Sequence, residues 1–312
     1  MDYRTLGKTG LKVSALSFGA SSLGSVFRPV DETEAIHTVH TALDLGINYI
    51  DVAPFYGYTV AETLLGKALR SVPRDSYYLA TKVGRYGDDD FDFSAARVTA
   101  SVDESLRRLG VDAVDVIQVH DLEYGSLDQV VEETLPALWR IRETGKARFV
   151  GITGYPLKIF DYVLPRTDGD QLDTILSYNH YSLNDTSLTR LLPTLEARQI
   201  DIINASPLSQ GLLTNRGTPD WHPAPAVVKE VCSRAAEFCR SQGADIAKLA
   251  MQFAVANPRI ATTIVGSASS ENMRRNVAWL EEPLDAALLA EVQTTLTPIH
   301  NQSWITGRLE NN

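Results

Sequence analysis

The strongest constraint on the fold is a series of eight short, mostly apolar segments separated by amphipathic stretches. Near-continuous apolar runs of this length are typical of parallel β-strands that are covered on both faces. The predicted strands occupy residues 16–19, 48–53, 77–83, 115–120, 149–153, 174–179, 201–207 and 261–266.

Helix signals lie between these segments. Asp31 is placed to cap a helix that Gly46 ends, and Ser94 is placed to cap one that Gly110 ends. Further helices are predicted over residues 132–144 and 188–198. The early strand-to-strand steps are about thirty residues, which is the length of a βαβ unit.

Eight such units favour a closed (β/α)8 TIM barrel over an open sheet, because closure leaves no edge strand. A doubly wound sheet is the alternative, but no G-x-G-x-x-G motif follows an early strand. Residues 3–6 and 11–14 flank the turn sequence 7–10, so we expect an N-terminal β-hairpin that closes the bottom of the barrel. We find no linker or composition break, and predict one domain over residues 1–312.

Charge and composition exclude several functional classes. Lys and Arg total 29 against 39 Asp and Glu, and a net charge of −10 opposes binding to nucleic acid or to anionic membranes. No apolar run is long enough to cross a bilayer and no signal sequence is evident, so we expect a cytoplasmic protein. We also expect a monomer or a small homo-oligomer. Cys232 and Cys239 match no metal motif, and we expect reduced thiols and no metal.

Four residues with complementary chemistry lie at or just past the carboxyl ends of predicted strands, where parallel barrels place their active sites. They are Asp51, Tyr56, Lys82 and His120. A buried lysine needs a carboxylate partner, and Asp51 on the neighbouring strand is placed to provide it. One such residue alone is usually structural or solvated, whereas four at successive strand ends indicate an active site.

The chemistry of this set suggests proton transfer. A phenol has a pKa near 10, and we expect the Lys82 ammonium to lower the pKa of Tyr56. Tyr56 would then exchange a proton with an alcohol or a carbonyl, while His120 hydrogen-bonds the reacting oxygen. Any hydride transfer would belong to a cofactor.

The motifs around these residues resemble those of the aldo-keto reductases. Residues 51–57 resemble the D-x-A-x-x-Y-G segment of the family, residues 101–110 and 115–120 resemble its second signature, and residues 133–153 resemble the segment that leads into its fifth strand. The resemblance implies a (β/α)8 barrel, a nicotinamide cofactor, and catalytic roles for Asp51, Tyr56, Lys82 and His120.

The resemblance also implies a set of cofactor-binding positions, at which this chain departs from the family in part. Thr153-Gly154 stands where the family often has Ser-Asn, Tyr178 where it has Gln, and Ala205 where it has an aromatic residue that stacks on the nicotinamide. The predicted cofactor-binding residues are Thr153, Gly154, Ser177, Tyr178, Ser206, Pro207, Leu208, Ser209, Gly211, Gly266, Ser267, Asn272 and Asn276.

Two of these positions predict NAD rather than NADP. Gly266 and Asn272 stand where NADP-preferring relatives carry a Lys and an Arg that grip the 2′-phosphate. Losing those cations removes charge-assisted hydrogen bonds. The alternative is that Arg274 and Arg275 reach the phosphate instead.

Further segments, at residues 151–157, 177–181, 204–213 and 301–304, resemble the sugar dehydrogenases of the family, which oxidise the anomeric carbon of L-galactose or L-fucose with NAD. The resemblance therefore implies oxidation of an aldose to its lactone. Alternatives are a pyridoxal dehydrogenase, an NAD(P)H-dependent aldehyde or ketone reductase and, more distantly, a nicotinamide-binding regulatory subunit. Aromatic and polar residues on the mouth loops suit a sugar, and the candidate substrate contacts are Phe55, Tyr58, Asp121, His180 and Trp304.

Overall fold

The eight predicted strands close into a parallel barrel. The structure is a computed structural model that describes residues 1–26 and 29–312. Its strands are β1 (Tyr3–Thr5), β2 (Lys12–Ser14), β3 (Leu16–Gly19), β4 (Tyr49–Asp51), β5 (Tyr78–Val83), β6 (Val114–Val119), β7 (Ala147–Gly154), β8 (Thr174–Tyr178), β9 (Asp201–Ala205) and β10 (Thr262–Gly266). Strands β3 to β10 follow one another around the barrel, and β10 pairs with both β9 and β3. The predicted (β/α)8 architecture is confirmed.

Helices cover the outside of this barrel. They are α1 (Glu32–Asp44), α2 (Val60–Leu69), α3 (Ala95–Leu109), α4 (Leu127–Gln129), α5 (Leu135–Glu143), α6 (Lys158–Val163), α7 (Leu192–Ala197), α8 (Ala226–Ser241), α9 (Ile246–Ala256), α10 (Ser270–Glu281) and α11 (Ala286–Leu296). Both predicted N-caps are present: Asp31 accepts from the Glu34 N–H and Ser94 from the Arg97 N–H.

The helices predicted over 132–144 and 188–198 have different starting points in the structure. The first begins earlier, at Leu127 behind the Ser126 cap, and passes through a π-helical stretch, Val130–Thr134, into α5. The second is a 3-10 stretch, Ser187–Leu191, before α7. Pro193 lies in the first turn of α7, where a missing N–H costs nothing, and this favours an α-helical start there.

The N-terminal hairpin closes the bottom of the barrel, as predicted. Strands β1 and β2 pair antiparallel, and Leu6, Leu11 and Val13 are buried in one cluster with the interior residues Tyr49 and Ile203. The Gly7 N–H donates to the carboxylate of Asp201, 2.8 Å away, at the first residue of β9. The hairpin is therefore fixed to the amino-terminal ends of the strands, and the carboxyl ends remain open to ligands.

No helix that the structure describes has both the length and the apolar character needed to cross a membrane. Cys232 and Cys239 are buried and not disulfide-bonded, and burial raises the pKa of both thiols. These side chains contribute to the packing of α8.

We predict that Leu6→Ala lowers the free energy of unfolding by about 2–5 kcal/mol, because it removes a fully buried side chain from the barrel floor and leaves a cavity. Chemical denaturation followed by circular dichroism measures this change. Leu309→Ala, at a side chain that is 74% exposed, is the matched control. Equal free energies of unfolding for the two variants would contradict the conclusion that packing of the hairpin against the bottom of the barrel stabilises the fold.

Candidate active site

A buried ion pair lies at the carboxyl ends of two neighbouring strands. Asp51 ends β4, Lys82 lies near the end of β5, and their side chains are 4% and 1% exposed. The Lys82 ammonium donates to the Asp51 carboxylate, to the carbonyl oxygen of Val52 (3.1 Å) and to the Tyr56 hydroxyl (3.2 Å). All three of its protons therefore have acceptors. Burial opposes the charge, but Asp51 and Tyr56 outweigh it and raise the pKa of Lys82, so the ammonium persists.

The second carboxylate oxygen of Asp51 accepts from the side-chain amide of Gln118, 2.8 Å away. Sequence reasoning missed Gln118, although it lies two residues before His120. Because side chains alternate along a strand, this spacing places both on the inner face of the barrel. Gln118 and Lys82 thus each hold one oxygen of the Asp51 carboxylate.

Tyr56 lies on the loop after β4, and the packing of two glycines fixes that loop. Gly57 has φ +61°, and a Cβ there would lie 1.9 Å from the Gly24 carbonyl oxygen. Only glycine permits both the left-handed backbone and this close approach. Burial raises the pKa of Tyr56, and this effect outweighs the lowering by Lys82. The predicted net lowering of the pKa of Tyr56 is therefore wrong, because burial removes the phenol from water.

His120 follows β6 and completes the predicted group of four. Its ring lies 5.6 Å from the Tyr56 ring in an edge-to-face arrangement. Burial, assisted by the charges of Lys82 and Arg85, lowers the pKa of His120 to about 3, so the imidazole is neutral. Its Nε2 lies 3.6 Å from a carboxylate oxygen of Asp121, which favours the tautomer with the proton on Nε2.

The predicted nicotinamide-end residues lie on β7 and β8. Thr153 accepts the Asp121 N–H at 3.1 Å, and the Tyr178 hydroxyl donates to Glu123 at 3.3 Å. Ser177 is buried without a hydrogen-bond partner among the described residues. Its neighbour Leu176 packs in the barrel interior, so Ser177 lies on the outer face of the strand. A Cβ at Gly154 would collide with Ile159 and with the carboxyl group of Glu123.

The loop after β9 has a strained backbone. Ser206, Ser209, Gln210 and Gly211 all have positive φ. Backbone turned in this way directs N–H groups to one side and forms concavities that bind anions. The Ser209 hydroxyl itself donates to Asn184, 2.7 Å away, within the protein. Pro207 is buried, and Leu208 is half-buried and packs against the core.

The remaining predicted cofactor residues surround the amino terminus of α10. Ser269 caps this helix by accepting the Asn272 N–H. The Asn272 side chain accepts from Arg275, while Arg274 reaches Thr41. Gly266 ends β10, Ser267 follows it, and Asn276 is buried one turn beyond Asn272. A residue that the sequence did not suggest, Glu34 of α1, accepts both the N–H and the hydroxyl of Ser270 at 2.8 and 2.9 Å.

Four of the five predicted substrate contacts lie at the mouth. The Phe55 ring is 6.0 Å from the rings of both Tyr56 and His120, and Asp121 pairs with Arg85. His180 and Trp304 flank the Tyr155 ring at 4.6 and 5.0 Å. The fifth residue, Tyr58, is 63% exposed and bonds Asp88 on the outer rim.

Glu123, which sequence reasoning also missed, joins the C-terminal segment to the rim. One carboxyl oxygen accepts from the Tyr155 N–H, the Tyr178 hydroxyl and the Thr306 hydroxyl, and its backbone carbonyl accepts from the Arg308 N–H and the Asn311 amide. Burial, reinforced by Asp121, raises the pKa of Glu123 to about 8. Its partners Tyr155, Tyr178 and Thr306 are distant in sequence, so no local spacing pointed to it.

Glu123 gives a testable pH dependence. Between its unfolded pKa of 4.5 and its folded pKa of about 8, the folded protein holds a proton that the unfolded chain releases, so this group makes stability fall as pH rises. In Glu123→Gln the free energy of unfolding should fall less between about pH 5 and pH 8, because the amide keeps the accepting oxygen and cannot ionise. Denaturant titrations at both pH values test this, with exposed Glu310→Gln as control. The same pH dependence in both variants would contradict the prediction.

The comparisons with known proteins agree with this architecture. The Aldo/keto reductase family matches residues 15–296. An L-galactose dehydrogenase of Arabidopsis thaliana is 49% identical, covering 100% of this chain and 99% of the relative, and a D-threo-aldose 1-dehydrogenase of Pseudomonas is 28% identical over 91% and 94%. A holo-form aldo-keto reductase structure from Bacillus halodurans superposes with a TM-score of 0.80 at 28% identity, covering 97% and 98% of the two chains. The chain belongs to the aldo/keto reductase family.

Proposed function

We propose that this enzyme oxidises the anomeric carbon of an aldose, L-galactose foremost, to the lactone, with NAD as the hydride acceptor. The observation that carries the proposal is the contact between the buried Lys82 ammonium and the Tyr56 hydroxyl, with His120 beside them. The substrate class rests on the names of the similar Arabidopsis and Pseudomonas proteins.

In this mechanism the Tyr56 phenol first loses its proton to solvent, and the resulting phenolate takes the proton of the C1 hydroxyl. Burial disfavours the phenolate, and the Lys82 ammonium stabilises the negative charge that forms. Asp51 and Gln118 keep Lys82 in place, and the neutral His120 donates from Nε2 to the reacting oxygen. The bound dinucleotide supplies the hydride acceptor.

The residues present fit a nicotinamide dinucleotide. The loop at 206–211 has the left-handed backbone that suits a pyrophosphate, and Thr153 and Tyr178 border the nicotinamide end. NAD is favoured over NADP by Gly266 and Asn272, which bring no cation to the amino terminus of α10. NAD is also favoured by the Glu34 carboxylate, which accepts the Ser270 N–H at this terminus and so leaves it unavailable to a phosphate. Hydrogen bonds from Ser270 lower the pKa of Glu34, so this carboxylate is ionised and repels a 2′-phosphate.

The first test is the initial rate of NADH formation with L-galactose, L-fucose, other aldoses and pyridoxal. We expect oxidation of an aldose, and expect Tyr56→Phe to lower kcat by about 10²–10⁴-fold because it removes the proton acceptor. Tyr162→Phe, which removes an exposed hydroxyl on α6, is the matched control. Turnover of pyridoxal alone, or aldehyde reduction alone, would replace the aldose assignment with one of those activities.

Glu34→Gln tests the cofactor preference. Removing the negative charge should raise kcat/KM for NADP⁺ severalfold and leave that for NAD⁺ nearly unchanged. Glu32→Gln, on the same helix but paired with Lys67, is the control. An unaltered NADP⁺/NAD⁺ ratio in Glu34→Gln would show that this carboxylate does not face the 2′ position.

A further inference from the structure

A second buried ion pair lies beside the proposed reaction centre. Arg85 follows β5, Asp121 follows β6, and the guanidinium donates from Nη1 to Oδ2 of the carboxylate at 2.6 Å. The two side chains are 15% and 7% exposed. A desolvated ion pair contributes little to stability unless its remaining donors and acceptors are satisfied, so this pair calls for a functional explanation.

Aromatic rings fix the guanidinium of Arg85. Its central carbon lies 3.7 Å from the centre of the Phe55 ring, and 5.2 and 5.0 Å from those of Phe91 and Tyr124, which stack on each other at 4.5 Å. Cation–π contacts of this kind orient the planar group. Asp121 is fixed as well, because its N–H donates to Thr153 and its backbone has φ +48°.

The pair retains free hydrogen-bonding capacity on both partners. Within residues 1–26 and 29–312, Nη2 of Arg85 and Oδ1 of Asp121 make no hydrogen bond, and neither is among the fully buried atoms without a partner. The two partners of this ion pair therefore keep one unused donor and one unused acceptor, neither of them fully buried. A hydroxyl group matches this arrangement, because it accepts and donates at the same time. The opposite charges cancel, which suits a neutral polyol better than an anion.

The position of the pair indicates which hydroxyl it meets. Oδ2 of Asp121 lies 3.6 Å from Nε2 of His120, and Phe55, under Arg85, lies 6.0 Å from the rings of Tyr56 and His120. The pair is thus next to the place where the reacting oxygen would lie. Of the other hydroxyl groups of the substrate, the one on the neighbouring carbon is closest to that oxygen.

We propose that Arg85 and Asp121 are specificity-determining residues that bind the ring hydroxyl on the carbon adjacent to the reacting carbon, with Arg85 donating to it and Asp121 accepting from it. The inference rests on the proposed aldose oxidation and extends it. It predicts selection of polyhydroxylated hemiacetals over simple ones, because a site built for a hydroxyl loses hydrogen bonds when the hydroxyl is missing.

The test compares two substrates that share the reacting group. L-Galactose and 2-hydroxytetrahydropyran are both six-membered cyclic hemiacetals, and the second lacks the other ring hydroxyls. In Arg85→Met we expect kcat/KM for L-galactose to fall roughly 10- to 100-fold, while that for 2-hydroxytetrahydropyran changes less than about threefold. Asp121→Asn should lower kcat/KM for both substrates, because Asp121 also favours the Nε2 tautomer of His120, and should lower that for L-galactose further. Arg259→Met, which breaks an exposed ion pair with Glu196 ahead of β10, should change neither rate.

The other outcomes separate the inference from the function on which it rests. Equal losses on both substrates, with an unchanged melting temperature, would mean that Arg85 acts by positioning the catalytic groups, and would overturn the inference alone. Unchanged rates on both would overturn it as well. If the unaltered enzyme oxidises 2-hydroxytetrahydropyran but no aldose, the proposed function fails and the inference fails with it.

Discussion

The ammonium of Lys82 lies almost entirely out of water, and the mouth of the barrel is organised around that charge. Asp51, the carbonyl of Val52 and Tyr56 accept its three protons, and Gln118 in turn fixes Asp51. Breaking a buried ion pair leaves an uncompensated charge, which is strongly destabilising. Loss of either partner is therefore strongly disfavoured, and the Tyr56 hydroxyl stays in contact with a positive charge.

The same charge helps to set the states of its neighbours. Burial and the cations Lys82 and Arg85 keep His120 neutral, so it is a hydrogen-bond donor without positive charge. Burial keeps Tyr56 protonated in spite of Lys82. The site thus holds a phenol, a neutral imidazole and an ammonium within one cluster, each fixed by a different balance of burial and charge.

Local patterns predicted the strands, their order and the meeting of Asp51, Tyr56, Lys82 and His120, because alternation and parallel strand ends fix where side chains point. The net pKa shift of Tyr56 was not predictable, since it depends on burial by residues distant in sequence. Arg85, Glu123 and Glu34 were missed for the same reason: their partners lie on other elements, and no local spacing reveals them. Gln118 alone carried a readable signal, its two-residue distance from His120.

The pairing of β3 with β10 also sets how late during synthesis the barrel can close. β3 spans Leu16–Gly19, but its partner β10 spans Thr262–Gly266, so nearly the whole chain must leave the ribosome before they can meet. Until then both β3 and β9 present unpaired backbone groups, which are templates for aggregation. A chain shortened before Thr262 would keep every residue from Asp51 to His120 and yet expose two strand edges. The last strand of the barrel therefore covers both edges that the rest of the chain leaves unpaired.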